Sequence, residues 1–255
     1  MIPQAYRILT VCCLLLTLCA CVASQSSSRP AANSAANNQK VARLNTQIAI
    51  EHLKAREYAV ALAKLEKATS VDPNYPEAYN AMGIVYSQIG ENEKADKNFQ
   101  RSLRISANNP VTLNNYGQFL CQTGEHEKGQ EMFKKATKNP LYSTPEIALN
   151  NAGTCALNND ASEQAEIYFR QALERNPRIP TALLQMASIT YDSGRYLPAR
   201  AYIQRYSEIA RHVPQSLWLG VLIERELGDR DAEASYALSL EKNFPDSEEA
   251  GKLNP

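Results

Sequence analysis

Cysteine and histidine are the side chains here best suited to chemistry, and the chain holds six of the first and three of the second. Four of the cysteines (Cys12, Cys13, Cys19 and Cys21) crowd into the first 21 residues, leaving only Cys121 and Cys155. Two cysteines rule out a disulfide-scaffolded fold and a cysteine-based zinc site. His52, His126 and His212 are far apart in sequence, and none has an acid or cysteine at a recurring offset. Asp and Glu are scattered at the spacings of solvated helix faces, and no glycine-rich phosphate loop is present. These readings give no catalytic residue, no metal ligand set, no cofactor and no small-molecule substrate. Lys+Arg and Asp+Glu are 27 each, a formal net charge of zero. Binding to nucleic acid or to an anionic membrane surface needs a basic excess, so neither is expected. What remains for this chain is the recognition of another protein, with no enzymatic activity.

Cys21 has a separate chemistry. After Arg7, the run Ile8–Ala20 is apolar for 13 residues. Spanning a bilayer takes about 20 residues, so the run matches a secretory signal core. It ends in Leu18-Cys19-Ala20-Cys21, which resembles the lipobox of bacterial lipoproteins, departing from it only in Cys19 at the second position before the modified cysteine. The resemblance implies that residues 1–20 are removed and that Cys21 carries the lipid; an ordinary cleaved signal is the alternative. Val22, where an Asp would hold many such proteins at the inner membrane, implies an outer-membrane, lipid-anchored address on the periplasmic face. Residues 22–40 are Ser, Ala and Asn with almost no large apolar side chain, and read as a flexible tether. In that regime the tether spans roughly 25 Å.

Positioning any recognition surface falls to a repeat of 34 residues, seen in the spacings Gly83–Gly117, Gly90–Gly124 and Gly194–Gly228. Six units result, at 42–75, 76–109, 110–145, 146–179, 180–213 and 214–247, within a repeat region of 41–247 and before a tail of 248–255. The loop after the third unit makes its step 36 instead of 34. One small-residue column reads Ala49, Gly83, Gly117, Gly153, Ala187, Val221; its partner reads Ala61, Ala95, Gly129, Ala165, Ala199, Glu233. A bulky column follows: Leu65, Phe99, Phe133, Phe169, Ile203, Ala237. Small residues let a second helix cross close to the first. Arg56, Gly90, Gly124, Asp160, Gly194 and Gly228 mark the turn, where a left-handed residue suits a helix C-terminus. Pro76, Pro110, Pro180 and Pro214 open first helices. This pattern resembles the tetratricopeptide repeat (TPR), best in Tyr79…Gly83…Tyr86…Ala95…Phe99. The resemblance implies an all-α, right-handed solenoid of six helix-turn-helix repeats, with an atypical terminal unit.

In such arrays one face of each first helix lines the groove. Here that face holds Asn80, Asn114 and Asn150 in register, with Asn115 and Asn151 beside two of them. An amide offers both donors and acceptors, which matches a peptide backbone; capping of local structure is the alternative. In the first unit the face reads Arg43, Thr46, Ile50 and Leu53, and Ile84 continues the apolar strip. An exposed Ile and Leu on a polar face suggest a partner site, with cover by the tether or a neighbouring helix as the alternative. At the far end Leu184, Tyr191, Trp218 and Leu222 form another apolar stretch, expected to pack in the core, with a partner contact near Trp218 as the alternative. Gln118 and Gln122 stand where a carboxylate clamp would need Lys or Arg.

The whole constellation, a lipobox followed by six repeats, resembles the family of type IV pilus biogenesis and stability proteins. The most specific stretches are Leu113-Asn114-Asn115-Tyr116-Gly117 with Phe119-Leu120, and Pro198-Ala199-Arg200 with Tyr202. The resemblance implies a pilotin, which binds the pilus secretin subunit and helps it reach the outer membrane and multimerise. A TPR lipoprotein scaffolding cell-wall or outer-membrane assembly machinery is the alternative. In an oxidising periplasm, Cys121 and Cys155, late in the first helices of adjacent units, are expected to form a disulfide, with two buried free thiols as the alternative.

Overall fold

A computed structural model describes residues 29–253, and among them every regular element is an α-helix. The signal segment, Cys21 and the tether up to residue 28 lie outside the described residues. The chain divides into two compact units, one ending at Ala81 and the other starting at Met82.

In the first unit α1 (Arg29–Lys54) pairs with α2 (Tyr58–Val71), and α3 (Pro76–Gln88) begins. Ala42 and Ala49 of α1 and Ala61, Leu65 and Ala68 of α2 are fully buried or nearly so. The flexible tether is corrected over part of its length, because residues 29–40 continue α1. The packed turns of α1 nucleate the helix, and extension into an Ala-rich stretch then adds one hydrogen bond per residue fixed. Ser34–Asn37 of that extension stay exposed.

The second unit continues with α4 (Asn92–Ile105), α5 (Pro110–Gln122), α6 (His126–Thr137), α7 (Pro145–Leu157), α8 (Ser162–Arg175) and α9 (Pro180–Asp192). It ends with α10 (Tyr196–Ser207), α11 (Pro214–Leu227), α12 (Arg230–Asn243) and the short α13 (Glu248–Gly251). Each first helix pairs with the helix after it, and α5, α7, α9 and α11 touch in succession to make one face. Proline opens α3, α5, α7, α9 and α11; in the fourth unit it is Pro145, one residue before the expected start.

Size complementarity fixes the pairing. Where the second helix carries an aromatic ring, the first carries glycine: a Cβ added at Gly83, Gly117 or Gly153 would lie 2.8, 2.9 or 2.7 Å from Phe99, Phe133 or Phe169. Where the second helix carries buried Leu65 or Ile203, the first carries buried Ala49 or Ala187. The sixth unit departs from its expected columns. Its close contact joins Gly220 to Tyr236, with an added Cβ 2.7 Å from the ring, instead of Val221 to Ala237. Ala237 is too small to fill the slot, and Glu233 is held outside by Arg225 at 2.8 Å. A one-residue rotation of the packed face brings Tyr236 in. The turns keep their period: Gly90, Gly124, Gly194 and Gly228 have φ of 78°, 85°, 72° and 74°, and Arg56 and Asp160 adopt 60° and 55° at the same place.

Between α10 and α11, Arg200 reaches Glu224, which is 2 % exposed, and also Asp229 at 3.3 Å. Arg195 grips Glu166 with two hydrogen bonds of 2.9 and 2.6 Å. No helix among the described residues is long and apolar enough to cross a membrane.

Candidate protein-binding site

In the first unit the expected groove residues separate. Arg43 is exposed, Ile50 is 37 % exposed, and Leu53 and Asn80 are half-buried. Thr46 is corrected: it is 2 % exposed, and its hydroxyl donates to the Ala42 carbonyl at 2.9 Å. Thr46 lies four positions after buried Ala42 and three before buried Ala49, so it shares their inward stripe and serves packing.

In the second unit the asparagines form a chain of amides. Asn151 donates through Nδ2 to Asn114 Oδ1 at 3.0 Å, and Asn114 donates in turn to Asn115 Oδ1 at 3.3 Å. Asn114 is 6 % exposed, so it links α5 to α7 and is corrected as a free reader of a partner's backbone. Asn150 differs: its Oδ1 is buried with no hydrogen-bond partner. Ile84 lines a small pocket of 120 Å³ with Ser87, Phe99, Asn115, Gln118 and Gln122.

Beneath this face Cys121 of α5 and Cys155 of α7 are joined in a disulfide, with Cα atoms 5.6 Å apart. Its room comes from Gly129, where a Cβ would lie 2.3 Å from Cys121 Sγ. Every neighbouring unit but the last holds alanine in that column, so glycine here is the sequence mark of a sulfur filling the space. His126 Nδ1 stands 3.9 Å from Cys155 Sγ, and the ligand atoms of Cys121, His126 and Cys155 gather within 4.8 Å. A metal would need the thiolates that the disulfide consumes.

At the C-terminal end the two expected roles, core packing and an open apolar face, fall on the same residues. Leu184 and Tyr191 of α9 and Trp218 of α11 rest one flank on the core, and Leu222 of α11 is half-buried beside them. Their other flank lines an open groove of 390 Å³, with Gln185, Ser188, Asp192 and Gln215 and with Glu249 and Lys252 of the α13 segment. At residue level a half-buried groove wall carries the same helical apolar spacing as a core stripe, and nothing local announces that α13 folds back beside it. Burial, then Glu226 and Asp192, push the Tyr191 hydroxyl above its ordinary pKa.

This is the architecture of a tetratricopeptide-repeat protein: residues 56–90 match the TPR repeat family, and 76–109 and 147–179 match the tetratricopeptide repeat. Over 201 residues the chain is 28 % identical to the type IV pilus assembly protein PilF of Pseudomonas aeruginosa, covering 79 % of this chain and 80 % of that one. The solved structure of that PilF superposes with a TM-score of 0.80, covering 85 % of this chain and 98 % of the other. PilW, described as a widely conserved type IV pilus biogenesis factor, superposes at 0.75 with 31 % identity, covering 84 % and 99 %. The chain belongs to the PilF/PilW family of type IV pilus tetratricopeptide-repeat proteins.

Proposed function

We propose that this protein is an outer-membrane lipoprotein, anchored through Cys21 on the periplasmic face, that binds the type IV pilus secretin subunit and promotes its multimerisation. The observation that carries the reading is the likeness to PilF and PilW along most of the chain, at 28 and 31 % identity. The lipobox supplies the address, and the helix faces supply the recognition without chemistry. Ile50 and Leu53 are the anchors of the first unit. With Ile50 already 63 % covered, its further burial contributes only about 0.5–1 kcal/mol, a third of a full isoleucine. Losing that burial would weaken binding only slightly, whereas a carboxylate at the contact would have to be desolvated without a partner.

The test is the double substitution Ile50→Asp and Leu53→Asp. Both positions are partly open, so helical content and thermal stability stay near wild type. Cells should lose heat- and detergent-resistant secretin multimers and surface pili while secretin monomer persists. Normal multimers around a folded double variant would reject the first-unit site. Cys21→Ala should remove the protein from the outer-membrane fraction, and unchanged fractionation would reject the anchor.

A further inference from the structure

We propose that the groove between α9, α11 and α13 is a second docking site, which takes a protein segment carrying a leucine or aromatic anchor next to lysine or arginine. It goes beyond the secretin reading and stands on different residues. The walls are apolar and face each other, Leu184 and Tyr191 from one helix, Trp218 and Leu222 from the other. At 390 Å³ the space falls among small binding clefts of roughly 300–1,000 Å³, enough for one large side chain and its neighbours. Gln185 on the same face offers amide hydrogen bonds to the segment's backbone.

Charge selects the occupant. Asp192 and Glu249 lie on the rim, and Glu226 acts on Tyr191 from the next turn of α11. None of these three carboxylates takes part in an ion pair among the described residues. The neighbouring cations are already committed: Lys252 to Glu248 at 2.8 Å, and Arg225 to Glu233 at 2.8 Å while it sits over the Trp218 ring. The apolar slot is therefore rimmed by an excess of negative charge, three carboxylates outside any ion pair against Lys252 and Arg225, each of which is already paired. A basic residue beside the anchor would gain attraction there, and an acidic one would be repelled.

Trp218 is the chain's single tryptophan, so its fluorescence reports on this groove alone. Three blocked heptapeptides serve as probes: a central phenylalanine flanked by lysines, the same anchor flanked by glutamates, and a central alanine flanked by lysines. The first should shift Trp218 emission saturably and bind at least tenfold more tightly than the other two. In the triple variant Asp192→Asn, Glu226→Gln, Glu249→Gln, whose exposed or rim positions leave the fold intact, the two phenylalanine peptides should bind alike. Absence of saturation by the lysine-flanked anchor, or equal binding of the glutamate-flanked one to the wild type, would overturn the proposal. A shift that grows with protein concentration alone, with a dimer in sedimentation, would assign the groove to a second copy and overturn it too. No secretin is present in this assay, so its failure and the failure of the pilus reading are separate results.

Discussion

Gly129→Ala isolates the bridge between α5 and α7. The new methyl carbon would lie 2.3 Å from Cys121 Sγ and 2.9 Å from the Gly117 carbonyl oxygen. The carbonyl contact exists in any redox state. The sulfur contact does not, because a thiol can rotate to another χ1 well while a bridged sulfur is held by its partner. Overpacking costs about 1–3 kcal/mol, and alanine returns about 1 kcal/mol over glycine within a helix. Only the sulfur part of that cost depends on the bridge. Four proteins separate the terms: wild type, Gly129→Ala, and both again in a Cys121→Ala, Cys155→Ala background, unfolded in urea and followed by helical ellipticity. The bridge closes a loop over a separation of 34 residues, so removing it should itself cost roughly 4 kcal/mol in the chain-entropy view. Gly129→Ala should then cost about 1–3 kcal/mol more with the cysteines than without them. At a urea slope of about 2 kcal/mol per molar, that is a difference of about 0.5–1.5 M between the two midpoint shifts. Equal shifts in both backgrounds would refute the reasoning, as would alkylation of both thiols in the unreduced wild type.

Three further outcomes follow from named contacts. Arg200→Ala leaves the carboxylate of Glu224 buried without its partner and should cost about 3–5 kcal/mol by chemical denaturation; a loss under 1 kcal/mol would contradict the pairing. Arg56→Gly and Asp160→Gly remove side chains from left-handed positions. Each should raise stability by about 0.5–1 kcal/mol, the αL relief less the entropy glycine adds to the unfolded chain, seen as a higher melting temperature. Hydrogen bonding to Arg195 holds the Glu166 carboxyl below its ordinary range, with Arg170 helping and burial opposing. The resulting stability is present above the unfolded carboxylate pKa and is lost as pH falls through the lowered folded value. The stability gap between wild type and Arg195→Ala should therefore be full at pH 7 and shrink below about pH 4; a gap that widens on acidification would contradict it.

Most of the architecture was legible because the period writes the same physical demands again and again along the chain. A left-handed turn recurs at a fixed offset in all six units, and a small residue under a bulky one and a proline near a helix start recur in most, so even Arg56 and Asp160 could be placed at turns by register. The sixth unit broke this logic. Its turn, Gly228, keeps the period while its packed pair, Gly220 and Tyr236, slips by one, and a column pinned at the turn cannot see that. The helical stretch before Val41 was missed because little there is buried, and helix extension needs only a neighbour already folded. The site was less legible than the fold. Asn114 and Asn151 looked like two free amides, and only the approach of α5 to α7 makes them bond partners. Thr46 looked polar and outward until its hydroxyl was seen to be satisfied within its own helix. The C-terminal groove depends on where α13 turns, which no local spacing encodes.

The disulfide has a consequence for the order in which the second unit comes apart. In a stack whose pairs touch only their neighbours, opening starts at an end and spreads inward one interface at a time. A covalent tie between α5 and α7 makes the third and fourth pairs a single step on that path. Fraying that arrives from either side meets a block that must open together or stay shut. Amide protons of α5 and α7 should then exchange last, and proteases acting on partly opened molecules should leave a fragment centred on the bridge. Treatment with a reductant would abolish that pause and return the stack to opening pair by pair.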